Sequence, residues 1–163
     1  MNTLVVYDSQ FGNTERIARI IAHTLRTFGE AHAARIDPYH IFRTEGLDLL
    51  LVGSPTQGLN ATHEIQAFLR DISPEILKGV GVACFDTRFR GRLWKHSAAT
   101  YMDRQLRALG IETLVAPESF FVKSMKKEGP LLDGELERAV DWALSVKERY
   151  EALRPHIQVW EER

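Results

Sequence analysis

The chain holds one cysteine, Cys84, which excludes an internal disulfide and fits a reducing compartment. No segment approaches the roughly 20 uninterrupted apolar residues of a membrane span. The N-terminus runs straight into a strand-like segment, without the basic region and apolar stretch of a signal peptide. The cytoplasm is therefore the expected location. Two phosphate-binding signatures are also missing, the glycine-rich loop ending in Gly-Lys-Ser/Thr and GxGxxG. Their absence disfavours an ATP- or GTP-hydrolysing P-loop and a dinucleotide pyrophosphate site. His23 and His96 lack a second ligand at i+4, so no zinc site is expected. No Ser-His-Asp or Cys-His order can be argued from spacing alone.

Charge of one sign is scarce overall, with a net of −1, but it is unevenly spread. From Asp86 to Lys127 there are nine Lys/Arg against four acids, so that stretch carries +5 and the remainder −6. What is present is an ordinary globular composition, 44% hydrophobic and 26% charged, over 163 residues. That length suits one domain burying roughly two-thirds of its unfolded surface.

Apolar runs alternate with amphipathic stretches. Strands are expected at 3–8, 31–36, 47–54, 78–86 and 112–122, the last bent at Pro117. Helices are expected at 14–28, from Asn60 or Thr62 to about Arg70, at 95–109 and at 134–150, with Pro38–Gly46 irregular. Trp94 and Trp142 fit helix positions as packing residues, and Cys84 falls inside an apolar strand. The alternation implies a parallel sheet with right-handed crossovers and helices on both faces. Residues 1–150 make one domain. Residues 151–163 follow the last helix as a tail to which the sequence assigns no role.

In such a sheet ligands sit outside the carboxyl ends of the strands. Three loops there stand out: "DSQFGNT", "GSPTQGLNAT" and "FDTRFRGRLW". The first has Ser9, Asn13 and Thr14 as side-chain donors, and Gly12 lets the backbone approach closely, just before a helix start that favours an anion. It contains no lysine, so it suits one terminal phosphate held by hydrogen bonds. A plain helix cap by Ser9 or Asn13 accounts for the same residues.

These segments resemble the flavodoxin family, and the resemblance runs from residue 3 to about 146. Ser9-Gln10-Phe11-Gly12-Asn13-Thr14 follows the family's phosphate loop, S/T-x-S/T-G-x-T, except that Phe11 replaces a hydroxyl. "LLLVGSPTQG" is similar to the third strand and second loop, and "CFDTRF" to the third loop. The resemblance implies an α/β fold, a doubly wound five-stranded parallel sheet of order 2-1-3-4-5, and non-covalent FMN. Flavodoxin with FMN is itself the usual illustration of ligands at strand ends, so the two arguments are not independent. It further implies that Ser9, Gly12, Asn13 and Thr14 take the phosphate, with Gln10 and Phe11 in the same loop. Pro55, Thr56, Gln57 and Gly58 are implied near the inner face of the flavin ring. Asp86, Thr87 and Arg88 are implied at its polar edge, and Phe89 stacked on the outer face.

The departures from the family bear on function. Position 57 is glutamine where many flavodoxins stack an aromatic, which removes a contact worth about 0.5–1.5 kcal/mol. The third loop reads Arg88-Phe89-Arg90-Gly91-Arg92 with Lys95 beyond, where electron-shuttling flavodoxins are acidic. One cation roughly 8 Å from the ring contributes about 2 kcal/mol, on the order of 85 mV for one electron, which favours the reduced flavin. Solvated projection of Arg90, Arg92 and Lys95 at a helix start explains the same sequence. The functions expected are flavin-mediated electron transfer or, alternatively, an FMN-dependent reductase of small acceptors such as quinones or porphyrinogens. A flavin-free interaction module is the third reading. The partner is a redox protein or a small-molecule acceptor, and the chain a monomer or homodimer. His63-Glu64 reads as a solvated first turn, and "KSMKK" (123–127) as an exposed loop rather than a nucleic-acid contact.

Overall fold

The computed structural model describes residues 1–37, 45–91, 96–124 and 129–161, with side chains to residue 154. Five strands, β1 (Asn2–Tyr7), β2 (Glu30–Arg35), β3 (Leu49–Pro55), β4 (Gly81–Phe89) and β5 (Glu118–Val122), form one sheet. All pairs are parallel and the order is β2-β1-β3-β4-β5, as expected. The helices are α1 (Asn13–Leu25), α2 (His63–Asp71), α3 (Ala98–Ala108) and α4 (Glu135–Glu161). The sheet order reverses between β1 and β3, so their carboxyl ends open a crevice.

Each sheet face buries one apolar cluster, because side chains alternate along the strands. On one face Phe85, Phe120 and Trp142 meet edge to face, with ring centroids 5.6–6.2 Å apart, between α1 and α4. Gly53 makes room for this cluster: a Cβ there would come within 2.2 Å of the Phe85 ring. On the other face Val52, Cys84, Ile65, Met102 and Leu106 pack beneath α2 and α3. Cys84 is fully buried, and burial, with Asp103 and Asp86 nearby, pushes its thiol far above the ordinary range. Trp94 lies outside the described residues.

Four boundaries differ from the sequence expectation, each for a local reason. The first helix is α-helical only to Leu25, and a 3-10 turn carries the chain from Arg26 to Phe28. The fourth strand runs to Phe89 rather than stopping at Asp86, because Thr87, Arg88 and Phe89 pair with Phe120, Phe121 and Val122. The fifth strand starts at Glu118, since Pro117 has no N–H to donate; of the preceding segment only Thr113 bridges, to Val82. The largest correction concerns the tail: α4 continues through Glu161, so residues 151–161 extend the last helix instead of following it. Pro155 has no amide hydrogen, and the helix passes it with one bond fewer. Of the irregular 38–46 segment, residues 38–44 lie outside the described residues.

Two contacts fix the outer edges. Tyr150 Oη donates to Asp48 Oδ1 at 2.7 Å, and the Asn2 amide donates to Asp48 Oδ2 at 2.7 Å, which ties α4 to the amino ends of β1 and β3. The free edge of β5 is covered: the Phe121 amide donates to Glu135 Oε2 at 2.7 Å, and residues 130–132 pair alongside it.

Candidate functional site

At the carboxyl ends of β1, β3 and β4 lies a cleft of about 150 Å³. Ten of the fourteen residues implicated by sequence line it: Gln10, Phe11, Asn13, Thr14, Pro55, Thr56, Gln57, Thr87, Arg88 and Phe89. Val122 and Ser124 line it too and were not anticipated; they lie at and just beyond the end of β5, whose contribution no motif marks. Ser9, Gly12, Gly58 and Asp86 are not among its lining residues.

The first loop turns through Gly12, which has φ 90° and stands at the N-cap of α1. Only glycine adopts that left-handed conformation without strain. Ser9 is buried and faces the loop's own backbone: its Oγ accepts from the Gly12 amide at 3.1 Å and the Glu15 amide at 3.4 Å. The Asp8 carboxylate accepts from the Ser9 amide at 2.8 Å and pairs with Arg35. Among the described residues, the amides of Gln10, Phe11, Asn13 and Thr14 have no acceptor. Four free N–H groups thus surround a left-handed glycine at a helix start, an arrangement of backbone donors suited to an anion. Asn13 Nδ2 donates to the Gly129 carbonyl at 2.6 Å, and the Thr14 and Thr87 hydroxyls pair at 2.7 Å. The latter contact locks the start of α1 to the end of β4.

The second loop is a tight hairpin. Gln57 and Asn60 exchange two backbone hydrogen bonds of 2.9 Å across Gly58 and Leu59, whose φ values are 52° and 71°. Two left-handed central residues are what the primed two-residue turn requires. The Gln57 side chain donates to Gln10 Oε1 at 2.6 Å and so spans the first and second loops. Thr56 Oγ1 accepts from the Ala98 amide at 2.9 Å, which seats the start of α3. Ser97 and Thr100 complete a reciprocal cap there, a signal present in the sequence as Ser-x-x-Thr.

Strand alternation separates Asp86 from Thr87. Thr87 faces the cleft, whereas Asp86 is fully buried beneath α3 and its Oδ2 accepts from the Ala99 amide at 2.8 Å. Among the described residues its Oδ1 has no partner. Burial raises the carboxyl above its ordinary value, and the Ala99 amide, the nearby Ser97 and Ser119 hydroxyls and the Arg88 charge offset part of that. Arg88 Nε donates to Ser119 Oγ at 2.9 Å, and its guanidinium stands 5.3 Å from the Phe121 ring centroid. Phe89 is 47% exposed at the cleft. Beyond Phe11 and Asn13 the surface opens into a second, shallower hollow of about 410 Å³ that includes Arg16 and Arg19. Among the described residues no three His, Cys, Asp or Glu side chains converge as a metal site.

The family model described as Flavodoxin matches residues 5–142. Oxidised Flavodoxin 2 from Bacillus cereus is 24% identical and has a TM-score of 0.71, over 91% of this chain and 99% of that one. The flavodiiron protein from Giardia intestinalis is 20% identical with a TM-score of 0.74, over 96% of this chain and 37% of that one. Rubredoxin oxygen:oxidoreductase from Desulfovibrio gigas is 17% identical with a TM-score of 0.70, over 93% of this chain and 36% of that one. The chain thus spans nearly the whole of the flavodoxin and little more than a third of the two larger proteins. No curated protein matches. These likenesses establish the fold.

Proposed function

The chain belongs to the flavodoxin family, and from that premise we propose that it binds FMN non-covalently in this cleft and serves in electron transfer. The observation that carries the reading is the set of unpartnered amides at Gln10, Phe11, Asn13 and Thr14, gathered around Gly12. Four backbone donors and no lysine suit a single phosphate monoester. When bound, FMN supplies the one- and two-electron chemistry. The chain's own residues hold and orient it. Ser9 fixes the shape of the phosphate loop from within. Gly12 gives the backbone its turn, and the Thr14–Thr87 hydroxyl pair fixes the loop's distance from β4. Thr56, Gln57 and Gly58 flank one side of the ring, with Pro55 at their base, and Phe89 offers an exposed aromatic face to the other. Asp86 acts from beneath, by holding the start of α3.

The working partner is a redox protein or a small acceptor. A reductase of small acceptors is favoured by one observation: position 57 gives the cleft lining a glutamine amide, bonded to Gln10, rather than an aromatic ring. Cytoplasmic location goes with this reading, on the buried lone thiol of Cys84. Among the described residues no helix is long and apolar enough to cross a membrane.

The test uses Thr14→Ala. Loss of the Thr14 hydroxyl frees the start of α1 from Thr87, so FMN affinity should fall by about tenfold, roughly 1.4 kcal/mol. Riboflavin, which lacks the phosphate, should be affected far less. Absorbance titrations of both ligands check this; equal weakening of the two would contradict the phosphate placement.

A further inference from the structure

Phe121, in the edge strand β5, is the centre of an unusual cluster of charge. Three guanidiniums stand over or beside its ring, those of Arg88 at 5.3 Å, Arg90 at 5.1 Å and Arg138 at 5.6 Å from the centroid. Arg138 is neutralised, by Glu135 at 2.6 Å and Glu118 at 3.0 Å. The other two are not. Arg88 donates only to the Ser119 hydroxyl, and Arg90 has no hydrogen bond or ion pair among the described residues.

Two like charges on one ring repel, and an exposed cation–π contact offsets only part of that. The four acids of the Asp86–Lys127 stretch form no ion pair with them. Asp86 attracts Arg88 but is buried under α3, Asp103 is paired with Arg107, and Glu118 is paired with Arg138. Glu112 adjoins Thr113, which bridges Val82 at the opposite, amino-terminal end of the sheet. In sequence the cluster is flanked by further cations, Arg92 and Lys95 on one side and Lys126 and Lys127 on the other, while Lys123 pairs with Asp133 at 3.5 Å. Arg88 also lines the cleft, together with the exposed ring of Phe89. The charge is therefore continuous with the place where electrons would enter or leave.

We propose that the Arg88–Arg90–Phe121 face is the docking surface for an acidic electron-transfer protein, whose surface carboxylates pair with the two uncompensated guanidiniums while Phe89 makes the apolar contact. This rests on FMN occupying the adjacent cleft. Guanidiniums already ordered on a ring lose little freedom when a carboxylate arrives, and their planar forks match carboxylate geometry. A face of this sign speeds encounter with an acidic partner and repels a basic one.

The experiment uses the full chain loaded with FMN and two probes of opposite charge, an acidic plant-type ferredoxin and the basic cytochrome c of horse heart. Binding is measured by calorimetry at roughly 20 and 200 mM salt, a range over which screening changes strongly. Ferredoxin should bind, about tenfold more weakly at the higher salt, and cytochrome c should not. Arg90→Glu should weaken ferredoxin binding by about tenfold or more. Arg90→Gln should weaken it less, and both variants should keep wild-type FMN affinity. Preference for cytochrome c, or ferredoxin binding unchanged in Arg90→Glu, overturns the docking surface. The FMN titration is separate: no FMN binding defeats the cofactor reading, whereas FMN binding without ferredoxin binding defeats the docking surface alone.

Discussion

Leu59 is the one described residue other than glycine with a positive φ, at 71°, and its side chain is 44% exposed. No burial offsets the clash between its Cβ and the neighbouring carbonyl, which costs about 1–2 kcal/mol. Leu59→Gly should therefore raise unfolding stability by roughly 0.5–1 kcal/mol, the relieved strain less the greater freedom of glycine in the unfolded chain. The urea midpoint checks it, and a lowered midpoint would contradict the strain. The sequence offered no sign of this, because "QGLN" reads as a turn without revealing which residue takes the left-handed place. Ser9 shows the same limit. Its type and spacing marked the loop as a candidate phosphate site, but only the backbone path decides that its hydroxyl accepts the loop's own amides.

At the scale of elements, β4 and α3 are joined by one buried carboxyl. Asp86 accepts from the Ala99 amide, and burial raises its pKa. A raised native pKa means that the folded chain binds more protons than the unfolded one between the ordinary value of 3.8 and the raised value. Stability from this group is therefore full at low pH and falls as pH rises through that window, with a slope approaching about 1.4 kcal/mol per pH unit. Asp86→Asn should remove the fall, so its stability relative to wild type should improve as pH rises; urea unfolding between pH 4 and 8 follows it. The opposite trend, a relative stability that worsens with rising pH, would contradict the assignment. Asp48 has the opposite sign: burial raises it, but Tyr150, the Asn2 amide and the amino terminus outweigh burial and lower it. Its contribution is present above the ordinary carboxylate range and is lost as pH falls through its depressed value. Strands and helices with a clear period were legible, whereas ends set by pairing or capping were not. "TRF" looked like loop, yet β5 draws it into the sheet, and residues 151–161, expected as a tail, continue α4.

For the whole molecule, the alternating pattern carried the parallel sheet, its covered faces and the end at which the cleft lies, whereas the strand order came from the resemblance to flavodoxins. The charge asymmetry was also legible, but its arrangement was not. Arg88 and Arg90 do not simply project into water; they share the Phe121 ring, a contact that depends on the register of β4 with β5. The cleft thus joins a neutral nest of amides at α1 to a basic edge at β5. The central claim is that the nest holds the phosphate of FMN. Fluorescence titration of the flavin-free chain with FMN and with riboflavin tests it most directly. Hydrogen bonds to a charged group contribute about 1.5–3 kcal/mol each, so FMN should bind at least about tenfold more tightly than riboflavin, and inorganic phosphate should compete with it. Equal affinity for the two flavins, or binding of neither, would contradict the account.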